Sequence, residues 1–470
     1  MRYAHPVAQV RAAEEPLLAA GVPLMARAST GLAVAVSRRL PFVYGARVVL
    51  LVGSGNNGAD ALWAGAWLAR RGARVVAVLA GDPVQDALEG LLRSGGRVGT
   101  AEALQGPDLV MDGLVGIGGR GPLRAAAAEL VGQVGGFVVA VDVPSGVDAD
   151  TGAVTGPAVR ADVTVTFGTL KPGLLLARGH VGVLELVDIG LALPPGPVEV
   201  LTGDDVAHLL PSPTAVADKY SRGVVGIAAG SQTYTGAAVL SVGAAIRAGA
   251  GMVRFAGASH AAEQVRSRWP EAVVTEASGS AVVEVGRVQA WVVGPGLGSS
   301  AEETVECVLA QDVPVVVDAD ALTICAQRPS WLTDRTSPTL LTPHDREFAR
   351  FGREVGDDRL RAARRLAGEL GVHVLLKGDA TVVVGPDGPA RVNTTGSWLL
   401  ATAGTGDVLS GAIGALLAQG LDVLDAGSVG AYLHGRAGWL SAAGATTSAG
   451  QVLEAWPAAV REARAGDSRA

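Results

Sequence analysis

The sequence predicts an α/β protein built of two domains of different kinds, and three observations predict it. Short Val-rich runs alternate with Ala-rich helical stretches along most of the chain, the pattern of βαβ units on a parallel sheet. A Pro-rich passage, "LALPPGP" (191–197) and then "LLPSPTA" (209–215), interrupts the alternation, which restarts beyond it. Hydrophobic residues make up 49% of the 470 residues and charged ones only 18%, which suits strands covered on both faces. The chain exceeds one ordinary domain, and the break places the boundary between 1–200 and 201–470.

Taken in order, the strands expected in the first domain are "RVVLLVG" (47–53), "RVVAVLA" (74–80), "LVMDG" (109–113), "FVVAVDV" (137–143) and "DVTVTFG" (162–168). Each is a short β-branched run bounded by turn residues. The second domain restarts with "GVVGIAAGS", "GMVRFAG", "QAWVVGPGLG", "VPVVVDAD", "TLLTPH" and "VHVLLKGD". A Gly/Ala-rich helix follows near Gly406, and the segment from Gly430 also reads as helical. The halves show no repeat of each other. Disorder is expected only in the tail after about Gly466.

Charge and cysteine content exclude several classes. A net charge of -7 and a pI near 5.6 argue against nucleic acid as a partner, because phosphate backbones are gripped by clustered Lys and Arg. Cys307 and Cys325 stand apart in apolar surroundings, so neither a zinc site nor a disulfide framework is indicated and a reducing compartment is expected. Glu14 and Glu15 occupy the place of a signal peptide's apolar core, and no apolar run reaches the roughly 18 residues of a membrane span. A soluble cytoplasmic protein with no membrane partner is the expectation.

The first chemical signal is "LLVGSGNNGAD" (50–60), where Gly53, Gly55 and Gly58 have the spacing of a dinucleotide-binding turn and Asp82 stands where a ribose-binding acid would. That reading makes a Rossmann-like doubly wound domain, and a purely structural strand-to-helix turn is its plain alternative. Asn56, Asn57 and Asp60 put oxygens into the turn, which suits hard cations. Asp112, "GIGGRGP" (116–122) and "VDVPSG" (141–146) fall at the ends of later strands, on the edge where such folds bind ligands.

In that order, G-x-G-N-N-x-x-D, D-x-L-x-G-x-G-x-R-G-P and D-x-P-S-G resemble the NAD(P)H-hydrate epimerase domain over about residues 5–200. The resemblance implies a damaged nicotinamide cofactor as substrate, hydroxylated at C6, whose R and S epimers are interconverted. It implies that Asn56, Asn57, Gly58, Ala59 and Asp60, with Gly116, Ile117, Gly118, Gly119, Arg120, Gly121 and Pro122, hold the substrate. Asn57, Asp112 and Ser145 would ligate a potassium ion. Asp142 is then the acid/base candidate, with a cap on the turn at Pro144 and Ser145 as its structural alternative. Lys171 is a weaker candidate for a charged partner, set against a solvated loop lysine. Two departures are visible: Ala59 replaces the family's second glycine, and "LMARAST" (24–30) replaces a glutamate-containing L-M-E-x-A-G.

In the second domain no P-loop occurs, and the informative stretch is "ATAGTGDVLSGAIGALLAQG" (401–420). Gly404 and Gly406 leave backbone N–H groups free at a helix start, an anion hole with Asp407 beside it, expected to stay ionised at neutral pH and accept a hydroxyl proton. Asp407 as a plain helix cap is the alternative. Together with "DKYSRG", "GSQTYTGAA", "GPGLG", "DADAL", "LTPH" and "KGDAT", the stretch is similar to the ribokinase-like ADP-dependent NAD(P)H-hydrate dehydratases over about 201–465. The whole chain is thereby identified as a member of the bifunctional NAD(P)H-hydrate repair enzymes, an α/β chain with a Rossmann-like doubly wound domain followed by a ribokinase-like α/β domain.

The resemblance implies that Lys377, Gly378, Asp379, Ala380, Thr381 and Gly406 bind the AMP part of ADP, the co-substrate. Ala238, Gly296, His344 and Asp407 would contact NADH-hydrate or NADPH-hydrate. The reaction implied is phosphoryl transfer from ADP to the C6 hydroxyl of the S epimer, then loss of phosphate. A magnesium ion between nucleotide oxygens is expected, without a visible carboxylate cage. A homo-oligomer is implied as well. Asp318 and Asp320 are structural or substrate-lining; Arg346 in "HDREF", and Trp398 and Leu399 in "GSWLLATAG", depart from the family pattern and could narrow the nucleotide pocket. Two further readings stay open: a small-molecule kinase fused to a nucleotide-binding domain, and a nucleotide sensor without catalysis.

Overall fold

The computed structural model describes residues 1–212 and 218–466; positions 213–215 of the Pro-rich passage and the tail after Gly466 lie outside them. The chain forms two compact units, Tyr3–Val198 and Glu199–Ala470 with Met1–Arg2.

The first unit is a seven-stranded sheet of β1 (Arg47–Val52), β2 (Arg74–Leu79), β3 (Arg97–Gly99), β4 (Leu109–Gly113), β5 (Val138–Val141), β6 (Val163–Phe167) and β7 (Val183–Val187). Its order is β3-β2-β1-β4-β5-β6-β7 and every pairing is parallel. Strand β1 shows why the apolar runs are unbroken: Val48, Leu50 and Val52 pack into one core, Val49 and Leu51 into the core on the opposite face. The strand order reverses between β1 and β4, so the crevice beyond their carboxyl ends is where this topology leaves room for a ligand.

The second unit contains β8 (Val224–Ala228), β9 (Met252–Gly257), β10 (Val273–Glu276), β11 (Ala290–Val293), β12 (Val315–Val317), β13 (Thr339–Leu341), β14 (His373–Leu376), β15 (Thr381–Val384) and β16 (Ala390–Asn393). They run in the order β16-β15-β14-β13-β12-β11-β8-β9-β10, with β10 to β14 parallel and β15 and β16 joined by antiparallel pairings. Short edge strands such as β3, β7 and β10 escape the sequence reading because their partly exposed runs lack the unbroken Val pattern of the central strands, and the β15–β16 hairpin escapes it because its strands are only four residues long. The two α/β architectures agree with the fold class expected.

The Gly/Ala-rich helix Thr405–Ala418 is buried along nearly its whole length. Small residues let it sit there: a Cβ on Gly411 would stand 2.1 Å from the Ser241 carbonyl oxygen of helix Thr235–Arg247, and one on Gly414 would stand 2.2 Å from Val292 of β11. This tight seat holds the helix start, and with it Asp407, at the carboxyl edge of the sheet. Gly411→Ala therefore overpacks against backbone that cannot yield, and should destabilise the second unit by about 1–3 kcal/mol. Chemical denaturation followed on the second unit checks this; an unchanged midpoint would contradict the packing argument.

Candidate active sites

In the first unit, β1 turns over Gly53 and Gly55 into helix Asn56–Ala69. A Cβ on Gly53 would lie 1.8 Å from the Leu114 carbonyl oxygen and one on Gly58 would lie 2.2 Å from that of Gly53, so both positions exist for close backbone contact. Gly55, with open space around its Cβ position, caps the helix without any side chain, leaving its first N–H groups to an anionic ligand. In front of them lies a cavity of about 960 Å³, lined by Asn56, Asn57 and Asp60, by residues 116–122, and by Asp142 and Lys171. That is the upper end of the roughly 300–1,000 Å³ usual for small-molecule sites.

Two residues expected to hold substrate do not reach the cavity. Gly58 is turned onto Gly53, and Ala59 is in the apolar core, because helical spacing points positions 58 and 59 at the sheet while 56, 57 and 60 face the crevice. Asp82 is exposed and off the cavity wall, so the ribose acid of the dehydrogenase reading finds no support.

Asp142 leaves β5 with φ 63, a left-handed conformation uncommon outside glycine that costs on the order of 1–3 kcal/mol. Its Oδ1 accepts from Lys171 Nζ at 2.6 Å and from Thr166 Oγ1 at 2.9 Å. Lys171, far from being a solvated loop residue, is 1% exposed, and its ammonium also donates to Thr166 Oγ1 and the Phe167 carbonyl. Asp142 is thus held by a buried cation on the wall of the cavity.

Behind the wall, Asp112 is fully buried; its carboxylate accepts from the Ser145 hydroxyl at 2.7 Å, the Ser145 N–H at 2.8 Å and the Leu114 N–H at 3.3 Å. Burial outweighs these bonds and pushes its pKa up to about 6. Asn57 adds an amide whose Oδ1 lies 2.8 Å from a Cβ position on Gly116 and whose Nδ2 is buried without a partner among the described residues. Amide, carboxylate and hydroxyl oxygens gathered around a carboxylate with no cation of its own fit an alkali-metal ion.

The sequence reading overlooked Arg11 and Glu14, which reach the same cavity from helix Val7–Ala19. Burial foremost, with Asp142 adding to it and Lys171 opposing, raises the Glu14 carboxyl above its ordinary value. No short motif marks them, since they come from a separate helix.

In the second unit the charged centre is Lys377, one residue beyond β14, whose Nζ lies 2.8 Å from Asp318 Oδ1 and 3.5 Å from Glu347 Oε2. Asp318 Oδ2 accepts from Ser410 Oγ at 2.6 Å. Burial alone would raise Asp318 and depress Lys377, but each holds the other charged. The neighbouring Ala319 has φ 51, the same kind of strained turn as Asp142. Asp318 is therefore at the centre of the cluster, and Glu347 and Ser410 join it unforeseen.

Gly404, with φ 89, begins helix Thr405–Ala418, and a Cβ on Gly406 would be 3.5 Å from Lys377 Nζ. Asp407, in the first turn, was expected to stay ionised; burial first, then the charge of Asp318, push its pKa up to about 7 against the opposing Lys377. Beneath the loop His434 is buried and bonded to the Thr405 backbone, and burial pushes its pKa down to about 4, so it is neutral.

His344 caps the helix Asp345–Phe348: its Nδ1 accepts from the Arg346 and Glu347 N–H groups while its ring stays about half exposed. Gly296, φ 64, brings its loop against Tyr234 and Ala237. Ala238 is buried in the core, so its methyl offers no face to a ligand. Of the 377–381 stretch, Ala380 and Thr381 are buried, Thr381 donating to the Gly378 carbonyl, and Gly378 packs on Arg359. Asp379 belongs to the same loop. Trp398 is 71% exposed while Leu399 is buried.

Residues 21–173 match the family described as YjeF-related protein N-terminus, and residues 225–456 match that described as NAD(P)H-hydrate dehydratase. The bifunctional NAD(P)H-hydrate repair enzyme Nnr of Mycobacterium leprae is 50% identical over 94% of this chain and 95% of its own length. The chain belongs to the family of bifunctional NAD(P)H-hydrate repair enzymes. A more distant repair enzyme of that name, from Corynebacterium glutamicum, is 37% identical over 79% of this chain and 78% of its own. Among solved structures, the Bacillus subtilis ADP/ATP-dependent NAD(P)H-hydrate dehydratase, co-crystallised with ATP and Mg²⁺, has TM-score 0.50 and 29% identity over 56% of this chain and 97% of its own. A ribokinase-like superfamily protein of Enterococcus faecalis has TM-score 0.51 and 27% identity over 58% and 98%.

Two outcomes follow for this repair enzyme. Lys171→Met strands the buried Asp142 charge and should cost roughly 3–5 kcal/mol of first-unit stability, much of it restored by adding Asp142→Asn; urea unfolding of the single and double variants reads this. Unfolded, Asp407 ionises near 3.8, whereas folded it holds its proton to about 7. Its contribution is fully present below the lower value and lost as pH rises through the upper one. Asp407→Asn should therefore gain stability over the native chain, on the order of a few kcal/mol, between about pH 5 and pH 8. Melting temperatures at the two pH values check it; no pH-dependent difference would show the carboxyl is not raised.

Proposed function

We propose that the chain repairs hydrated NADH and NADPH in two steps: residues 1–200 interconvert the R and S hydrates, and residues 201–470 dehydrate the S epimer at the expense of ADP, giving NAD(P)H, AMP and phosphate. The observation that carries the reading is Asp407, a carboxyl held near neutrality at an uncapped, glycine-lined helix start beside Lys377. A base with a pKa close to the working pH is matched to taking the proton of an alcohol that attacks phosphorus. The open N–H groups at Gly404 and Gly406 receive phosphate oxygens, and Lys377, fixed by Asp318, adds positive charge.

Phosphorylation turns the C6 hydroxyl into a good leaving group, and elimination restores the nicotinamide double bond. A magnesium ion, when bound with the nucleotide, would supply further charge neutralisation beside Lys377. Lys377, Gly406 and the backbone of 377–381 make the nucleotide seat, and Gly296 and His344 the facing hydrate seat.

In the first unit Asp142, oriented by Lys171, exchanges a proton with the C6 hydroxyl during ring opening and reclosure. The helix start at Gly55 and the 116–122 loop receive the dinucleotide. Asn57, Asp112 and Ser145 would hold potassium, whose charge would favour the ionised form of Asp112 beside it.

Mixed R and S NADH-hydrate incubated with the chain and ADP should regain absorbance in the NADH band. Asp407→Ala abolishes recovery while nucleotide still binds; Asp142→Asn leaves only the S portion promptly repaired. Consumption of ATP with a stable phosphorylated product would instead favour the small-molecule kinase.

A further inference from the structure

Epimerisation by ring opening moves two protons. The C6 hydroxyl loses one, its O–H electron pair becomes the carbonyl bond, and the C6–N1 bond breaks with its pair left on N1, which must itself gain a proton. Reclosure on the opposite face reverses both transfers. Asp142 accounts for one of them, so a second acid-base group is needed in the same cavity.

Asp60 has no structural reason to be where it is. It is the fifth residue of helix Asn56–Ala69, past the first turn, where it neither caps the helix nor meets its positive end. It is 8% exposed, stands on the wall of the 960 Å³ cavity, and its Oδ1 is buried with no hydrogen-bond partner among the described residues. Leaving such a group unsatisfied costs about 1–3 kcal/mol, and nothing in the packing around it returns that.

The charges facing Asp60 come from other elements. Glu14 on helix Val7–Ala19 and Asp142 after β5 are both carboxyls, and Lys171 is committed to Asp142. Arg11, Arg120, Arg124 and Asp148 complete the charged groups on the wall. Asp60 thus faces two further carboxyls, while the buried lysine among them is already paired with Asp142. Burial first, and then Asp142 and Glu14, raise Asp60 well above the ordinary carboxyl value.

We infer that Asp60 is the second acid-base residue of epimerisation: it delivers its proton to N1 as the C6–N1 bond breaks and recovers it on reclosure, while Asp142 takes and returns the hydroxyl proton. Each half-reaction exchanges the protonation of the two carboxyls, Asp142 gaining the proton that Asp60 loses, and the full cycle restores both. The inference rests on the epimerase reading of the first unit and divides its chemistry between two named groups.

The test uses the full-length chain and separated R and S NADH-hydrates, following interconversion by chromatography over the protein-free rate. Asp60→Asn should lower kcat on the order of 10²-fold or more, with KM changed little. The native rate should fall as rising pH removes the Asp60 proton, and this alkaline limb should vanish from the residual activity of the Asn variant. Asp60→Glu should keep part of the rate with the limb displaced. ADP-dependent dehydration of the S hydrate, a property of the other unit, should be unchanged in both variants.

Near-native kcat in Asp60→Asn, or a loss confined to KM with the alkaline limb intact, overturns the inference while leaving the epimerase reading standing. A native chain that does not interconvert the epimers removes that reading and the inference with it. Should Asp60→Asn be insoluble, Asp60→Glu decides: a displaced limb supports the role, and an undisplaced one overturns it.

Discussion

In each unit a lysine ammonium lies largely out of water against one aspartate at the carboxyl end of a parallel sheet, Lys171 on Asp142 at 2.6 Å and Lys377 on Asp318 at 2.8 Å. Neither member could be buried alone, because an isolated charge in such surroundings would neutralise or drag its loop into solvent. The pair therefore fixes the loops that carry it. Both aspartate turns contain a non-glycine residue with positive φ, Asp142 itself and Ala319, a strain that the ion pair and the surrounding strands hold in place.

From that constraint the two sites diverge in how they leave a second carboxyl uncompensated. Asp60 in the first and Asp407 in the second are both raised by burial and by a negative neighbour, while the lysine nearby is already engaged. A carboxyl in this condition keeps its proton to higher pH than a surface aspartate does, in the case of Asp407 to about 7. Stability is given up at these positions, consistent with the gain expected when Asp407 loses its charge.

Glycine serves the two units for different purposes. At Gly53 and Gly58 it lets the loops at the switch point touch backbone to backbone; at Gly411 and Gly414 it lets a whole helix sink between its neighbours. The first use opens a crevice in front of bare N–H groups, and the second anchors the helix whose start bears Asp407. A glycine-rich composition thus reflects close approach as much as flexible turns.

The sequence by itself determined the two α/β architectures, the central strands and the carboxyl-edge motifs, because period, β-branched runs and turn glycines are local signals. It also brought Asp142, Asn57, Asp112 and Asp407 forward, each within a short motif. Only the tertiary structure decided that Lys171 is buried on Asp142, that Asp318 and Glu347 flank Lys377, that Glu14 reaches the first cavity, and that Ala59 and Ala238 turn away from theirs. The raised pKa of Asp407 has the same origin. Protonation and side-chain aim depend on what desolvates and faces a group, and those neighbours arrive from elements tens to hundreds of residues distant along the chain.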